Sequence, residues 1–199
     1  MSFMKKKYLL MAAALVMIVM LVSTSVAYFT ATDVQENVFT VGDVKIELVE
    51  DKWDKSAEHL IYPGRSFDKN PLVKNVGNNP AYVRISVSIT DYTILNRANP
   101  SDFEPSNLFD GYDDRVWIST GDPQTEDKTI TYSYYYYQIL DVNESTETLF
   151  DKITFPNGLN MSVINEMTSD LEIEVKAEAI QSDGFSDYEE AFEAFDLDA

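Results

Sequence analysis

The stretch from Leu171 to Ala179, within a predicted strand that ends at Ile180, alternates strictly between apolar and charged side chains. Successive side chains of a β-strand point to opposite faces, so this pattern predicts a strand with one buried face and one solvated face. A shift of one residue in pairing register would move four charges into the core, so the register is well specified. Ala81 to Tyr92 shows the same alternation between apolar and polar residues. The apolar positions of the two strands are Val83, Ile85, Val87, Ile89, Leu171, Ile173, Val175, Ala177 and Ala179.

Turn-forming residues divide the rest of the chain into further short strands. Tyr62-Pro63-Gly64 suits a β-turn, because proline presets φ at the first corner and glycine accepts a positive φ at the second. No repeating helix separates the strands, which is typical of antiparallel all-β folds. We predict an all-β fold, an antiparallel β-sandwich of jelly-roll type with seven to nine strands and a short helix near Ser106 to Asp110. The other predicted strands are Val44–Leu48, Leu72–Val76, Arg115–Ser119, Lys128–Leu140 and Lys152–Phe155.

The first residues have the order of a secretory signal peptide. Three lysines are followed by an uncharged run from Tyr8 to Val22, and small residues stand at Ser25 and Ala27. The run has 15 residues, whereas roughly 20 are needed to span a bilayer. We predict that residues 1–27 are a signal peptide cleaved after Ala27, so that the exported chain begins at Tyr28. Membrane contact is then predicted only through the leader, before cleavage.

The composition restricts the partners and the compartment. Cleavage would remove three lysines and no acids from the 199-residue chain, changing its net charge from −19 to −22. Such a charge argues against nucleic acid, whose phosphates require Lys and Arg, and against anionic membrane surfaces. The chain has no cysteine, so its stability as a secreted protein must come from packing and backbone pairing. The remaining 172 residues predict one domain.

The side chains needed for common catalytic sites are scarce. His59, the sole histidine, directly follows the charged stretch from Asp51 to Glu58. We predict that it is a solvated residue of the same loop. A zinc peptidase would need several ligands, and a serine hydrolase would need a base beside its nucleophile. We therefore predict no catalytic residue and no cofactor.

Asp110, Asp113 and Asp114 flank Gly111 and are weak candidates for a calcium site. Carboxylate oxygens on a flexible turn suit Ca²⁺, but the spacing is not that of an EF-hand and the bidentate Glu is missing. A polar turn in an acidic protein is the favoured interpretation, and we predict no metal.

Two aromatic features have structural interpretations. In the run from Tyr134 to Tyr137, alternate side chains are predicted to point inward and outward, as in ordinary sheet packing. The acidic tail, residues 183–199, contains Ser186 three residues before Glu189, which is the spacing of a capping box, and predicts a short amphipathic helix. This helix is expected to pack on its own domain, with docking on a neighbouring subunit as the alternative.

Several stretches, taken in order along the chain, carry a family resemblance. They are Ala27-Tyr28-Phe29, Asp33, Asn37 to Val44, Tyr62-Pro63-Gly64, Asn75 to Val87 and Glu174 to Ile180. Together they resemble the TasA/camelysin family of exported biofilm-matrix proteins of Gram-positive bacteria. The resemblance is firmest from the leader to Ile89 and at Leu171 to Ile180.

The resemblance implies a jelly-roll subunit of extracellular fibres, secreted to the matrix or cell surface. Its implied partners are other copies of itself, a dedicated signal peptidase and accessory matrix proteins. Residues 28–42 would be a donor strand added to the sheet of the next subunit, and residues 43–182 the β-sandwich. The side chains available to fill a groove are Tyr28, Phe29, Val34, Val38, Phe39 and Val41.

Two alternative functions belong to other classes. Camelysin-like members have been described as surface metallopeptidases, although no zinc motif is present in this sequence. A monomeric surface domain that binds calcium or a glycan would instead keep its N-terminal strand in its own sheet.

Overall fold

The computed structural model describes residues 29–30, 44–54, 59–99, 103–166 and 171–198. Strands in antiparallel sheets dominate and helices are few, which confirms the predicted all-β class. The described residues form eleven strands, more than the seven to nine predicted, because several contain only two or three residues. They are β1 (Phe29–Thr30), β2 (Ile46–Val49), β3 (Ser66–Asp68), β4 (Leu72–Asn75), β5 (Ala81–Ile89), β6 (Phe109–Asp110), β7 (Trp117–Ser119), β8 (Gln124–Glu126), β9 (Thr129–Tyr136), β10 (Lys152–Thr154) and β11 (Leu171–Gln181).

The main sheet has the strand order β1-β11-β5-β9-β7, and β8 also pairs with β9. Its centre is an antiparallel pair in which β11 faces β5 along nine residues, from Ile173 opposite Ile89 to Gln181 opposite Ala81. The predicted alternation is confirmed in both strands, because the apolar positions are buried and most of the intervening ones are not. The period-two pattern therefore fixed the register of the centre of the fold.

Two smaller sheets complete the core. One has the order β3-β10-β6, and the other is the pair β2-β4. Their apolar side chains belong to the same buried cluster as the inner face of the main sheet. Representative members are Phe67, Phe109 and Ile153 from the three-stranded sheet, Ile46 and Val73 from the pair, and Val87, Tyr132 and Val175 from the main sheet.

Among the described residues there are three α-helices and one 3₁₀ helix: α1 (Tyr92–Ala98), the 3₁₀ helix (Pro105–Leu108), α2 (Met161–Ile164) and α3 (Tyr188–Asp198). The predicted short helix near Ser106 is the 3₁₀ helix, and the predicted tail helix is α3. Helix α1 was not predicted, and the strand predicted to reach Tyr92 ends at Ile89. The left-handed backbone of Asp91, with φ of 49°, ends the extended conformation, and α1 then buries Leu95 and Ala98.

The tyrosine run packs as predicted. Tyr134 and Tyr136 are buried on the inner face of β9, while Tyr135 points to the opposite face. Tyr137 follows the end of β9 and has 45% of its surface exposed.

The Tyr62-Pro63-Gly64 turn is also present. Arg65 N–H donates to the Tyr62 carbonyl at 3.1 Å, and Gly64 has a φ of +73°. The Gly64 N–H donates to the Pro156 carbonyl at 3.2 Å, so this turn packs against the one at Pro156. A side chain at residue 64 would collide with the Asn157 amide, which adds a steric reason for glycine.

Candidate functional site

The N-terminal strand β1 lies at the edge of the main sheet. It pairs in parallel with β11, with Phe29 opposite Leu171 and Thr30 opposite Glu172. On its other side β11 is held by β5. The first residues after the predicted cleavage site therefore add to the outer edge of a strand whose register is fixed by nine pairs with β5.

Most of the predicted site residues lie outside the described part of the chain. This applies to the signal peptide, to its cleavage residues Ser25 and Ala27, and to the donor-strand residues other than Phe29. Of Phe29, the structure describes the backbone pairing with Leu171. The donor residues outside the described part are Tyr28, Val34, Val38, Phe39 and Val41.

The three aspartates proposed for calcium do not form a common site in the described part of the chain, where no group of three or more Asp, Glu or His side chains is placed to hold a metal ion. Asp113 instead accepts hydrogen bonds from Arg115, including one from the side-chain Nε at 2.9 Å and one from the backbone N–H at 3.0 Å. These hydrogen bonds lower the pKa of the Asp113 carboxyl to about 2.

His59 is packed among aromatic side chains, which corrects the prediction of a solvated loop residue. Its ring stacks on that of Trp53 at a centroid distance of 4.0 Å and meets Phe67 edge-on at 5.2 Å. Burial is the main cause of a lowered His59 pKa; Asp54 opposes this effect, while Lys69 adds to it. Trp53 is buried, so its charged sequence neighbours concealed a core position.

A buried ion pair adjoins this aromatic group. Lys69 is fully buried, and its Nζ lies 2.6 Å from Glu50 Oε1 and 4.7 Å from the centre of the Trp53 ring. No sequence pattern indicates this pair, because neither residue lies in an alternating apolar stretch. A buried charge destabilises a protein unless an opposite charge or a hydrogen bond offsets it. Glu50 and the Trp53 ring provide this for Lys69, which fits a structural role.

A charged network joins the tail to the sheet. Arg84 on β5 binds Asp196 of α3 with two hydrogen bonds, of 2.8 Å from Nη1 and 2.7 Å from Nη2. Its Nε also donates to Glu178 of β11 at 2.8 Å, and Lys176 lies 2.9 Å from the same carboxylate. Burial opposes ionisation of Arg84, but the two carboxylates outweigh it and raise the pKa of Arg84 above its usual value.

Helix α3 covers part of the outer face of the main sheet, which confirms the predicted packing of the tail on its own domain. Phe192 is fully buried and stacks on Tyr135 of β9 at 5.3 Å. The Arg84 guanidinium lies 4.6 Å from the centre of the Phe192 ring. The sequence indicated the helix and its apolar residues, but not that Arg84 would pack beneath the helix. The other members of this cluster are Tyr82, Ile180, Phe185, Tyr188, Ala191 and Phe195.

In the described ranges, no helix is both long and apolar enough to cross a membrane. A scan against protein-family models finds no match to the chain, and searches of curated proteins and of solved structures find none either.

Proposed function

We propose that the chain is a structural subunit of extracellular fibres, exported through its leader, whose sandwich of jelly-roll type polymerises by donating the segment from Tyr28 to Val41 to the sheet of the next subunit. The observation that carries the proposal is the parallel pairing of β1 with β11 at the edge of the main sheet. The monomeric surface-domain alternative expects the same pairing within one chain, and the filament experiment below distinguishes the two. A strand added to a sheet edge pairs N–H and C=O groups that the edge would otherwise expose.

The pairing seen within one chain supports an exchange between chains. If β1 leaves its own β11 and pairs with that of a neighbour, the same backbone hydrogen bonds form again, so the exchange costs little beyond the entropy of association. β1 covers only two of the eleven residues of β11. A longer donor strand in the fibre would therefore gain pairs that β1 does not make.

The tether is long enough for this exchange. Thirteen residues, 31–43, separate β1 from Val44. When extended they span roughly 45 Å. A folded domain of this size is roughly 40 Å across. A pair as short as β1 can thus form on the β11 edge of an adjacent subunit without unfolding the rest of the domain. A donor paired as far as Val41 leaves only Gly42 and Asp43 as a linker, so that edge would then lie close to Val44.

The register of β1 suggests which donor side chains matter most. Partners in a parallel pair share a face, so a donor side chain paired with the buried Leu171 would point toward the core of the accepting subunit. Continued in this register, the donor would reach Gln181, the last residue of β11, at Phe39. Phe29 and Phe39 would then face the core. Val34 and Val38 would occupy the opposite face.

The deciding experiment compares the exported chain beginning at Tyr28 with a variant lacking residues 28–41. We expect the first to form sedimentable filaments visible by electron microscopy and the second to remain monomeric, because the donor has been removed. A variant in which residues 28–41 are scrambled keeps their composition and should also fail to assemble. Equal filament formation by the intact and deleted chains would rule out the donor mechanism.

Two further measurements refine this test. Phe29→Asp should reduce assembly more than Val34→Asp, because Phe29 pairs with the buried Leu171, whereas Val34 would pair with the partly exposed Lys176 in the continued register. A chain that retains residues 1–27 should not assemble, and N-terminal sequencing of the filaments should begin at Tyr28. Filaments that still carry the leader would contradict the proposed control by cleavage.

A further inference from the structure

An open cleft lies between the segment that carries the 3₁₀ helix and β6 and the inner-facing tyrosines of β9. Its volume is about 570 Å³, within the range of small-molecule binding sites. The lining residues that matter here are Ser106, Asn107, Tyr112, Ser119, Tyr132 and Tyr134. The cleft is separate from the β1–β11 edge, so it can be tested independently of assembly.

An oriented aromatic ring forms part of its wall. Tyr112 is 36% exposed, yet its hydroxyl donates to the Trp117 carbonyl at 2.6 Å. The ring also leans on that of Tyr134, at a centroid distance of 5.2 Å and an angle of 54°. Two contacts therefore hold an accessible ring in one orientation. Gly121, also in the lining, leaves open space where another residue would place a Cβ.

The polar groups of the cleft are uncharged. Hydroxyls come from Ser106, Ser119 and the tyrosines, and an amide comes from Asn107, whose Oδ1 accepts the Glu104 N–H at 2.9 Å. Tyr132 is about nine-tenths buried, and its hydroxyl interacts with Ser106, another residue of the lining. None of the described residues that line the cleft is charged, although the chain has a net charge of −19.

From these observations we propose that the cleft binds a neutral carbohydrate, with a pyranose ring placed against Tyr112 and its hydroxyls bonded to Ser119, Asn107 and neighbouring groups. A pyranose has an apolar C–H face that packs on an aromatic ring and a rim of hydroxyls that exchange hydrogen bonds with uncharged donors and acceptors. A metal cation would need several carboxylate or carbonyl oxygens, and an anion would need Lys or Arg.

The test is an NMR titration of the purified exported protein with maltose, lactose and N,N′-diacetylchitobiose. Glucuronic acid serves as a charged probe and a polyproline peptide as an alternative ligand for an aromatic groove. We expect at least one neutral disaccharide to shift the amide signals of Asn107, Tyr112 and Ser119. The proposal is overturned if the polyproline peptide or glucuronic acid binds there in preference, or if no disaccharide shifts these signals and the polysaccharide cosedimentation described below does not depend on Ser119.

Variants separate recognition from folding. Tyr112→Ala should weaken saccharide binding about tenfold through loss of ring packing. Tyr62→Ala, a change at a similarly exposed tyrosine outside the cleft, should leave binding unchanged. Ser119→Trp, at an exposed strand position, should block the cleft without disturbing the core, so it remains informative if Tyr112→Ala unfolds the protein. Unchanged binding in Ser119→Trp would overturn the proposal.

Cosedimentation with purified extracellular polysaccharide identifies the source of the sugar. If the unaltered protein cosediments with the polysaccharide and Ser119→Trp does not, the ligand is a polymer. If the protein binds disaccharides but does not cosediment with the polysaccharide, the ligand is a free sugar. Both outcomes support a carbohydrate site. Cosedimentation that Ser119→Trp leaves intact, without disaccharide binding, would overturn the proposal. Filament formation by Ser119→Trp should match that of the unaltered chain, which separates this result from the fate of the fibre proposal.

Discussion

Arg84 is the side chain through which the tail, the outer face of the sheet and a buried acid are connected. It is only 12% exposed, and it holds Asp196 and the nearly buried Glu178 while covering the Phe192 ring. Removing one member of a buried ionic group leaves the other charges buried without a partner. The loss in stability is therefore larger than the loss expected if the whole group were replaced by apolar residues.

We expect Arg84→Met to lower the free energy of unfolding by about 2–4 kcal/mol. Lys176 remains beside Glu178 and limits the loss. The measurement is urea denaturation followed by circular dichroism. Adding Glu178→Met to this variant should restore much of the stability, because the uncompensated carboxylate is then gone.

Arg97→Met provides the matched control for Arg84→Met. Arg97 bonds Glu166 at 2.8 Å, but both side chains are more than half exposed. Its loss should cost at most about 1 kcal/mol, since water already solvates such a pair. Equal losses from the two substitutions would show that burial of the Arg84 network contributes nothing.

Asn75 is a second buried residue whose polar groups are satisfied inside the protein. Its Nδ2 donates to the carbonyls of Asn79 and Leu140, at 2.9 and 3.1 Å, and its Oδ1 accepts the Gly77 N–H at 3.0 Å. The Asn75 side chain is fully buried, so it makes these three hydrogen bonds in the interior of the protein.

Asn75→Leu should lower the free energy of unfolding by about 3 kcal/mol, because the Gly77 N–H and the Asn79 carbonyl lose their side-chain partner and the Leu140 carbonyl keeps only the Ala81 N–H. The thermal midpoint should fall by roughly 6–12 °C for a domain of this size. Asn96→Leu, at an exposed position of α1, should change stability by no more than about 0.5 kcal/mol. A small effect of Asn75→Leu would mean that the surrounding backbone rearranges to restore these hydrogen bonds.

Among the elements, the long strands were predictable and the short ones were not. β5 and β11 show the period-two pattern because each buries one face along its whole length. β3 and β8 contain three residues each, too few for a periodic pattern, and β8 is exposed throughout. Helix α1 was missed because Thr93 and Ile94 are β-branched and its seven residues bury only Leu95 and Ala98.

Helix α3 allows a direct test of packing on its own domain. Phe192 is fully buried against the sheet, whereas Leu197 on the same helix is 82% exposed. Phe192→Ala should lower the free energy of unfolding by about 3–4 kcal/mol. Leu197→Ala should change it by less than about 0.5 kcal/mol. If both substitutions had equally small effects in the monomer, α3 would not be contributing to the stability of its own domain.

For the molecule as a whole, the sequence predicted the class but not how distant parts meet. Arg84 and Asp196 are 112 residues apart, and no local pattern links them. Phe29 pairs with Leu171 in parallel. Parallel strands cannot be joined by a short turn, so no local sequence signal indicates this pairing. The cleft is likewise assembled from segments on both sides of β7. These features follow from the order of the strands in the sheet, which alternation within single strands does not encode.

The edge position of β1 has a consequence for the direction of the proposed fibre. A donor segment and an accepting β11 edge are different surfaces of one subunit, so the contact between subunits is heterologous and does not close on itself. Each filament would then have polarity, with an unoccupied β11 edge at one end and an unused donor at the other. A free donor peptide would occupy the β11 edge at the first end and the same edge on free subunits, so an excess of peptide should stop elongation at both ends.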